Sequence, residues 1–458
     1  MTPAGGGLPL TLVPDLLWLE GRFQAGLAVD VGADGRIASV RDAAQRRGRP
    51  GEVRRLSGRA LLPGFVNAHS HAFQRLLRGR TQWRPLDEER ADFWTWREAM
   101  YDAVLGLDEA GLATASRACF REMLRAGFTT VGEFHYVHRL RDGSLPDPPD
   151  RLARVVVDAA RATGIRIVLL HVAYATGGIG APLEDRQRRF ATPDLDGYLE
   201  ALEHLAASCE GDTVTFGAAP HSLRAVPRDW LAPIAAWCER RDAPLHMHVA
   251  EQPAEVDACL AAYGATPLAT LEAEGALSPR FTAVHATHID ADDAARLARS
   301  GATVCACPTT ERDLADGFLP LELLRPAEVP IALGSDSNAV IDPFEEMRCV
   351  EYHERLRTGR RVVVADPLPR ADGGAPDRVG CAPPLLAMGT RNGARALGID
   401  AGVIEPGLLA DLVAVDLDHP TLDGHAADTL ASMLVFGAPT SVVREVWVGG
   451  REMGGGPG

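Results

Sequence analysis

Four histidines and one aspartate, spread over more than half of the chain, have the side-chain types of a catalytic metal centre. They are His69 and His71 in His69-Ser70-His71, then His248, His285, and Asp336 in Gly334-Ser335-Asp336-Ser337. Imidazole nitrogens with one carboxylate suit a borderline-soft ion such as zinc, and a catalytic site keeps one position for water. His69 and His71, two apart on a strand, face the same side and can reach one ion. His246 and His248 repeat that spacing. His248 lies nearer the strand end and Glu251, so it is the expected ligand, with His246 packed deeper. His285 can be a ligand or can hydrogen-bond the bound water; with a single ion, the water contact is expected. Asp336 can bind the ion and also accept a proton from its water, whose pKa zinc lowers to about 7. Glu251 stands just past its strand, where a carboxyl can protonate a leaving or imino nitrogen; the plainer alternative is a cap on the following helix.

Distant single ligands need a fold that gathers many strand ends at one place, and a parallel α/β barrel does this. Eight apolar runs fit its strands: Leu62 to Ala68, Thr129 to Phe134, Ile167 to Val172, Val214 to Ala218, Leu245 to Val249, Thr282 to Val284, Thr303 to Cys307 and Ile331 to Leu333. Helical segments alternate with them, among them Asp108 to Ala126, Pro149 to Thr163, Asp194 to Ala207, Asp290 to Ser300 and Pro343 to Thr358. Short strands at Thr11 to Val13, Leu27 to Val31 and Ile37 to Val40 precede the barrel, with Asp34-Gly35 as a hairpin turn. Leu412 to Val415 and Val442 to Val448 follow it. The expected fold is therefore a (β/α)8 barrel over 61–399 with a small β-sandwich built from both termini, 1–60 and 400–458. Arg78 to Asp92 and Arg360 to Cys381 read as surface loops.

The chain has 458 residues, 46% hydrophobic and 24% charged, as ordinary globular proteins do. A net charge of −15 argues against nucleic acid or an anionic membrane surface as the main partner. No apolar stretch is long enough for a membrane span. The opening MTPAGGGLPLTLVPD has no basic region and no signal-like apolar core, so a cytoplasmic location is expected. The eight cysteines show no framework spacing, and Cys305-Ala306-Cys307 reads as strand core. The sequence contains no lysine; all 47 basic residues are arginine. Schiff-base chemistry and a two-metal centre bridged by a carbamylated lysine are thereby excluded. Rival motifs fail: His353-Glu354 lacks the second histidine of HExxH, and Gly334-Ser335-Asp336 is no nucleophile elbow.

Leu62-Pro-Gly-Phe-Val-Asn-Ala-His69-Ser-His71, the step from His248 to Glu251, His285, the Asp336 turn and Gly402-Val-Ile-Glu-Pro-Gly407-Leu-Leu-Ala-Asp411 resemble the amidohydrolase superfamily. Within it, the resemblance is closer to the formimidoylglutamate deiminases of histidine degradation. It is carried by His69-Ser-His-Ala-Phe-Gln74-Arg, Trp94-Thr-Trp-Arg97, Gly132-Glu-Phe-His-Tyr136, Ala219-Pro-His221-Ser-Leu-Arg224 and His248-Val-Ala-Glu251-Gln. The resemblance implies one zinc per subunit on His69, His71, His248 and Asp336, with iron or another divalent metal also accepted by such ligands. It implies deamination of N-formimino-L-glutamate, with Asp336 and His285 handling the water proton and Glu251 delivering one to the imino nitrogen. Arg97 and Arg224 would clamp the two carboxylates of this small substrate, helped by Gln74, Tyr136 and His221. A homodimer is the family expectation. The alternative is a sibling enzyme deaminating a cyclic amidine such as a purine or triazine.

Overall fold

A computed structural model describes residues 9–45, 51–86, 89–370 and 372–454. Residues 1–8 of the opening stretch, 87 and 88 of the first loop and 371 of the second lie outside the described residues.

Strands β1 (Leu10–Leu19), β2 (Arg22–Gln24), β3 (Leu27–Val31), β4 (Ile37–Asp42) and β5 (Glu52–Pro63) open the chain. The barrel strands follow: β6 (Phe65–Ser70), β7 (Phe128–His135), β8 (Arg166–Ala173), β9 (Val214–Pro220), β10 (Leu245–Val249), β11 (Phe281–His285), β12 (Thr303–Ala306) and β13 (Ile331–Leu333). Neighbours in this series pair in parallel in chain order, from β6 through to β13. Every residue of β7, β8, β10 and β11 is buried, as expected of strands with side chains inside the barrel and helices outside. The fold is the expected (β/α)8 barrel. Several of its helices begin at side-chain caps: Asp108 accepts from Gly111 N at 2.7 Å and Asp290 from Asp293 N at 2.8 Å, satisfying first-turn donors.

The termini build one further sheet. After a two-stranded hairpin, β14 (Asp366–Pro367) with β15 (Val379–Gly380), come β16 (Leu412–Asp416), β17 (Val443–Val448) and β18 (Arg451–Glu452). The strand order is β18-β17-β16-β5-β1-β3-β4, with β2 beside β1. The sheet curls, so that Ile37 N reaches Leu408 O and Ala410 N reaches Gly35 O. The curl encloses a second apolar core of Leu12, Leu17, Val29, Ile37, Leu61, Leu412 and Trp447.

One difference from the sequence reading sits at the junction. The run Leu62 to Ala68 splits into two elements, because Leu62 and Pro63 end β5 while Phe65 begins β6. Gly64 makes the break. A Cβ there would stand 2.3 Å from the Thr129 side chain, and its N–H bonds Asp411 O at 2.9 Å.

Asp411 also fastens the sheet to the barrel. Its carboxylate takes Arg166 Nε at 2.8 Å and Nη2 at 3.1 Å, a two-pronged pair with both side chains buried, and accepts Gly449 N at 2.6 Å. Replacing one member of a buried pair leaves the other charge stranded in the interior. Asp411→Asn should therefore lower the unfolding free energy by about 3 kcal/mol in urea titration of the metal-free protein. A loss within error of zero would show that the pair does not hold the two sheets together.

Candidate active site

Barrel closure brings the candidate ligands together. The seam between β6 and the segment after β13 is made by the site residues' own backbones: His71 N bonds Asp336 O at 2.9 Å and Asp336 N bonds His69 O at 3.0 Å. Gly334 lets these chains approach, since a Cβ on it would stand 2.8 Å from both Cβ and O of His69.

His69, His71, His248 and Asp336 each offer a ligand atom, all within 4.8 Å of one another, and all four residues are buried. The hydrogen bonds fix the tautomers. His71 Nδ1 lies 2.9 Å from Phe134 O, and His248 Nδ1 lies 3.0 Å from His221 O. A carbonyl only accepts, so both Nδ1 atoms carry the proton and both Nε2 atoms present lone pairs. Those Nε2 atoms stand 3.2 and 3.1 Å from His69 Nε2, and Asp336 Oδ1 is 3.1 Å from His71 Nε2. Lone pairs and a carboxylate oxygen converging at this range suit a divalent cation between them. Burial pulls the His69 pKa down to about 3 and holds His248 well below the usual histidine range, leaving both neutral, as metal-binding imidazoles must be. Burial works against the Asp336 charge, yet the surrounding imidazoles of His69, His71 and His285 hold its carboxyl well below the ordinary range.

The remaining sequence candidates divide cleanly. His285 turns Nδ1 to Glu311 Oε1 at 3.3 Å, and its Nε2 faces Glu251 Oε1 at 3.6 Å and Asp336 Oδ2 at 3.8 Å. It thus stands beside the four-donor group rather than within it. Glu251 is not a helix cap; its Oε2 accepts Arg224 Nη2 at 3.1 Å. His246 is packed deeper, with Nε2 on Ala396 O at 2.8 Å. Gln74, Arg97, Tyr136, His221, Arg224, Glu251, His71, His248 and Asp336 all line one cavity, whose walls also include Phe93, Trp96, Tyr101, Tyr174 and Phe190. Gln74 Nε2 donates to Tyr136 Oη at 2.7 Å. Burial and the Arg224 charge keep His221 well below the usual histidine range. The Arg97 guanidinium lies 4.5 Å from the Trp94 ring centroid.

The helix that carries Arg97 and several supporting residues were not foreseen. Arg97 rides on a helix, Phe93–Gly106, whose N-cap Asp92 forms a capping box with Thr95. Its aromatic opening turns partly to the cavity, so no apolar stripe announces it. Glu255 lies 3.2 Å from Arg224 Nε and accepts Ala250 N at 3.1 Å. Asn338 donates to His71 O at 3.0 Å and Asp336 O at 3.1 Å, bracing the seam. Glu133 accepts Ala72 N at 2.7 Å and so holds the turn after His71. His285, Asp336 and Asn338 all have positive φ, of 70°, 44° and 57°. Such backbone costs about 1–3 kcal/mol per residue and persists where the surroundings enforce it, commonly at active sites.

A model of the amidohydrolase family matches residues 60–453. The chain belongs to the amidohydrolase family. This amidohydrolase is 38% identical to formimidoylglutamate deiminase of Pseudomonas aeruginosa, over 92% of this chain and 89% of that one. It superposes on a crystallised amidohydrolase from Brucella melitensis with a TM-score of 0.85 at 30% identity, covering 97% and 95% of the two chains. An adenosine deaminase from Xanthomonas campestris with bound zinc gives 0.78 at 27% identity, covering 97% and 92%. The amidohydrolase is thus a hydrolase of C–N bonds, and its four-donor group fits a metal.

Glu133 gives this amidohydrolase a pH signature. Burial raises its pKa from 4.5 to about 7. The folded state holds this proton more tightly than the unfolded one, so its contribution is complete below about pH 4.5 and is lost as the pH rises through about 7. Glu133→Gln keeps the acceptor for Ala72 and removes the titration. In urea unfolding of metal-free protein, the variant should gain on the native chain by up to about 3 kcal/mol between about pH 5 and pH 8. A difference that does not change with pH would sink this assignment.

Proposed function

We propose that this chain is a zinc-dependent deiminase that hydrolyses N-formimino-L-glutamate to N-formyl-L-glutamate and ammonia. The observation that carries the reading is the pair of guanidinium groups, Arg97 and Arg224, in the wall of the cavity that is also lined by three of the four metal donors, His71, His248 and Asp336. A linear amidine with two carboxylates calls for two cationic anchors, and Arg supplies two-pronged ones. The 38% identity to a formimidoylglutamate deiminase supports the same substrate.

His69, His71, His248 and Asp336 would hold the zinc, which supplies Lewis acidity and lowers the pKa of a water to about 7. Arg97 and Arg224 take the substrate carboxylates, and Gln74, Tyr136 and His221 add hydrogen bonds around them. Asp336 Oδ2 takes the proton released as water adds to the formimino carbon, and His285 Nε2 steers it. Glu251 protonates the imino nitrogen; its Oε1 faces His285 and its Oε2 is held by Arg224. Collapse of the tetrahedral adduct breaks the C–N bond to that nitrogen: the adduct hydroxyl gives its proton to Asp336 Oδ2, the nitrogen takes a second proton by way of His285 and Glu251 and leaves as ammonia, and the formyl group stays on glutamate. The imidazole of His285, between Glu251 and Asp336, lies on the path by which the water proton reaches the leaving nitrogen.

Chelation should abolish ammonia release and added zinc should restore it. Arg97→Met should lower kcat/KM for N-formimino-L-glutamate about 10- to 100-fold, mainly through KM, as loss of a charged hydrogen bond does. Arg224→Met should also lower kcat, because it frees Glu251. Assay of adenosine and a triazine in parallel separates the alternative: turnover of a cyclic amidine, undiminished in Arg97→Met, would overturn the dicarboxylate reading and leave the metal site standing.

A further inference from the structure

Asp336 points its two oxygens at different partners. Oδ1 faces His71 and His69 at 3.1 and 3.4 Å, while Oδ2 faces His285 at 3.8 Å. On that second side stands a thiol. A ring nitrogen of His285, Cys307 Sγ and a carboxylate oxygen of Asp336 lie within 4.8 Å of one another, and all three residues are buried. Among the described residues these are the two groups of three or more such donors. Cys305 and Cys307, two apart, face the same side; Cys307 is the one that reaches the Asp336 group.

Two further observations point to a cation there. His285 Nε2 is buried without a hydrogen-bond partner. The imidazole is also ringed by carboxylates, with Glu311 at 3.3 Å, Glu251 at 3.6 Å and Asp336 at 3.8 Å. Arg224 pairs with Glu251 and Glu255 and leaves Glu311 and Asp336 unpaired by it. Buried carboxylates, one thiol and one unpartnered imidazole nitrogen are a ligand set for a soft divalent ion once the thiol and the imidazolium give up their protons.

We propose that His285, Cys307 and Asp336 form a second cation position for a thiophilic divalent ion, cadmium or excess zinc, and that filling it inhibits the enzyme. Binding breaks the Cys307 S–H and His285 Nε2–H bonds, forms a metal–sulfur and a metal–nitrogen bond, and releases both protons to solvent. Inhibition follows because Asp336 Oδ2 and His285, once bound to that ion, no longer take and steer the water proton. The inference rests on Asp336 serving the first site and is independent of which amidine is turned over.

The test uses full-length protein loaded with one equivalent of zinc and titrated with cadmium. After gel filtration, zinc and cadmium per chain are measured by mass spectrometry, and the ultraviolet thiolate-to-cadmium band and ammonia release are followed. The native chain should retain one zinc and one cadmium, show the band and lose activity. Cys307→Ser and Cys307→Ala should each bind cadmium at least about tenfold more weakly, without the band, as expected for loss of a ligand. Cys305→Ala should behave as the native chain. Retention of a single ion by the native chain, or a band that survives in both Cys307 variants, overturns the second position alone. Retention of no ion by any of the proteins overturns the first site and the second with it.

Discussion

The pair of backbone hydrogen bonds between the His69–His71 segment and Asp336 is the constraint on which the rest of this molecule depends. A barrel must close, and here it closes through the residues that carry the chemistry. The first and last barrel strands therefore cannot drift apart without separating two imidazoles from their carboxylate. Gly334 keeps the seam tight, and Asn338 and Asn67 stitch it from below through Ser335 and the carbonyls of His71 and Asp336. Positive φ at Asp336 and Asn338 is local strain absorbed by that network.

Charge explains the second layer. The site buries Glu251, Glu255, Glu311 and Asp336 close together, with Arg224 as a shared counter-ion for two of them. Such an assembly is costly unless cations complete it. The Arg224 guanidinium, and a divalent ion that the four-donor group fits, are completions of that kind. The same excess of carboxylates holds His285 well above the usual histidine range, against its burial.

Much of this was legible from residue order. The barrel strands appear close to where apolar runs place them: β10 and β13 match from end to end, and β9 runs two residues further. Parallel strands buried on both faces write themselves as continuous apolar runs, which is why the pattern is readable. The donors of the four-donor group were visible as histidines and an aspartate at strand ends. What stayed hidden was of another kind. Glu255 sits in the first turn of a helix, where an acid ordinarily serves the helix dipole. Glu133 gains its meaning from Ala72 and Glu311 from His285, neighbours distant in sequence. Cys307 reads as strand core, and only the position of Asp336 makes it more than that. The break at Gly64 was missed because Leu62 and Phe65 are equally apolar; the contact that demands it, with Thr129, is tertiary.

The seam also has a consequence for biosynthesis. A ribosome delivers His69 early and Asp336 only after most of the barrel, so no partial chain can hold all four donors. The nascent protein therefore passes through its exposed, unfinished stages without a complete site that could capture metal. Maturation then coincides with topological completion.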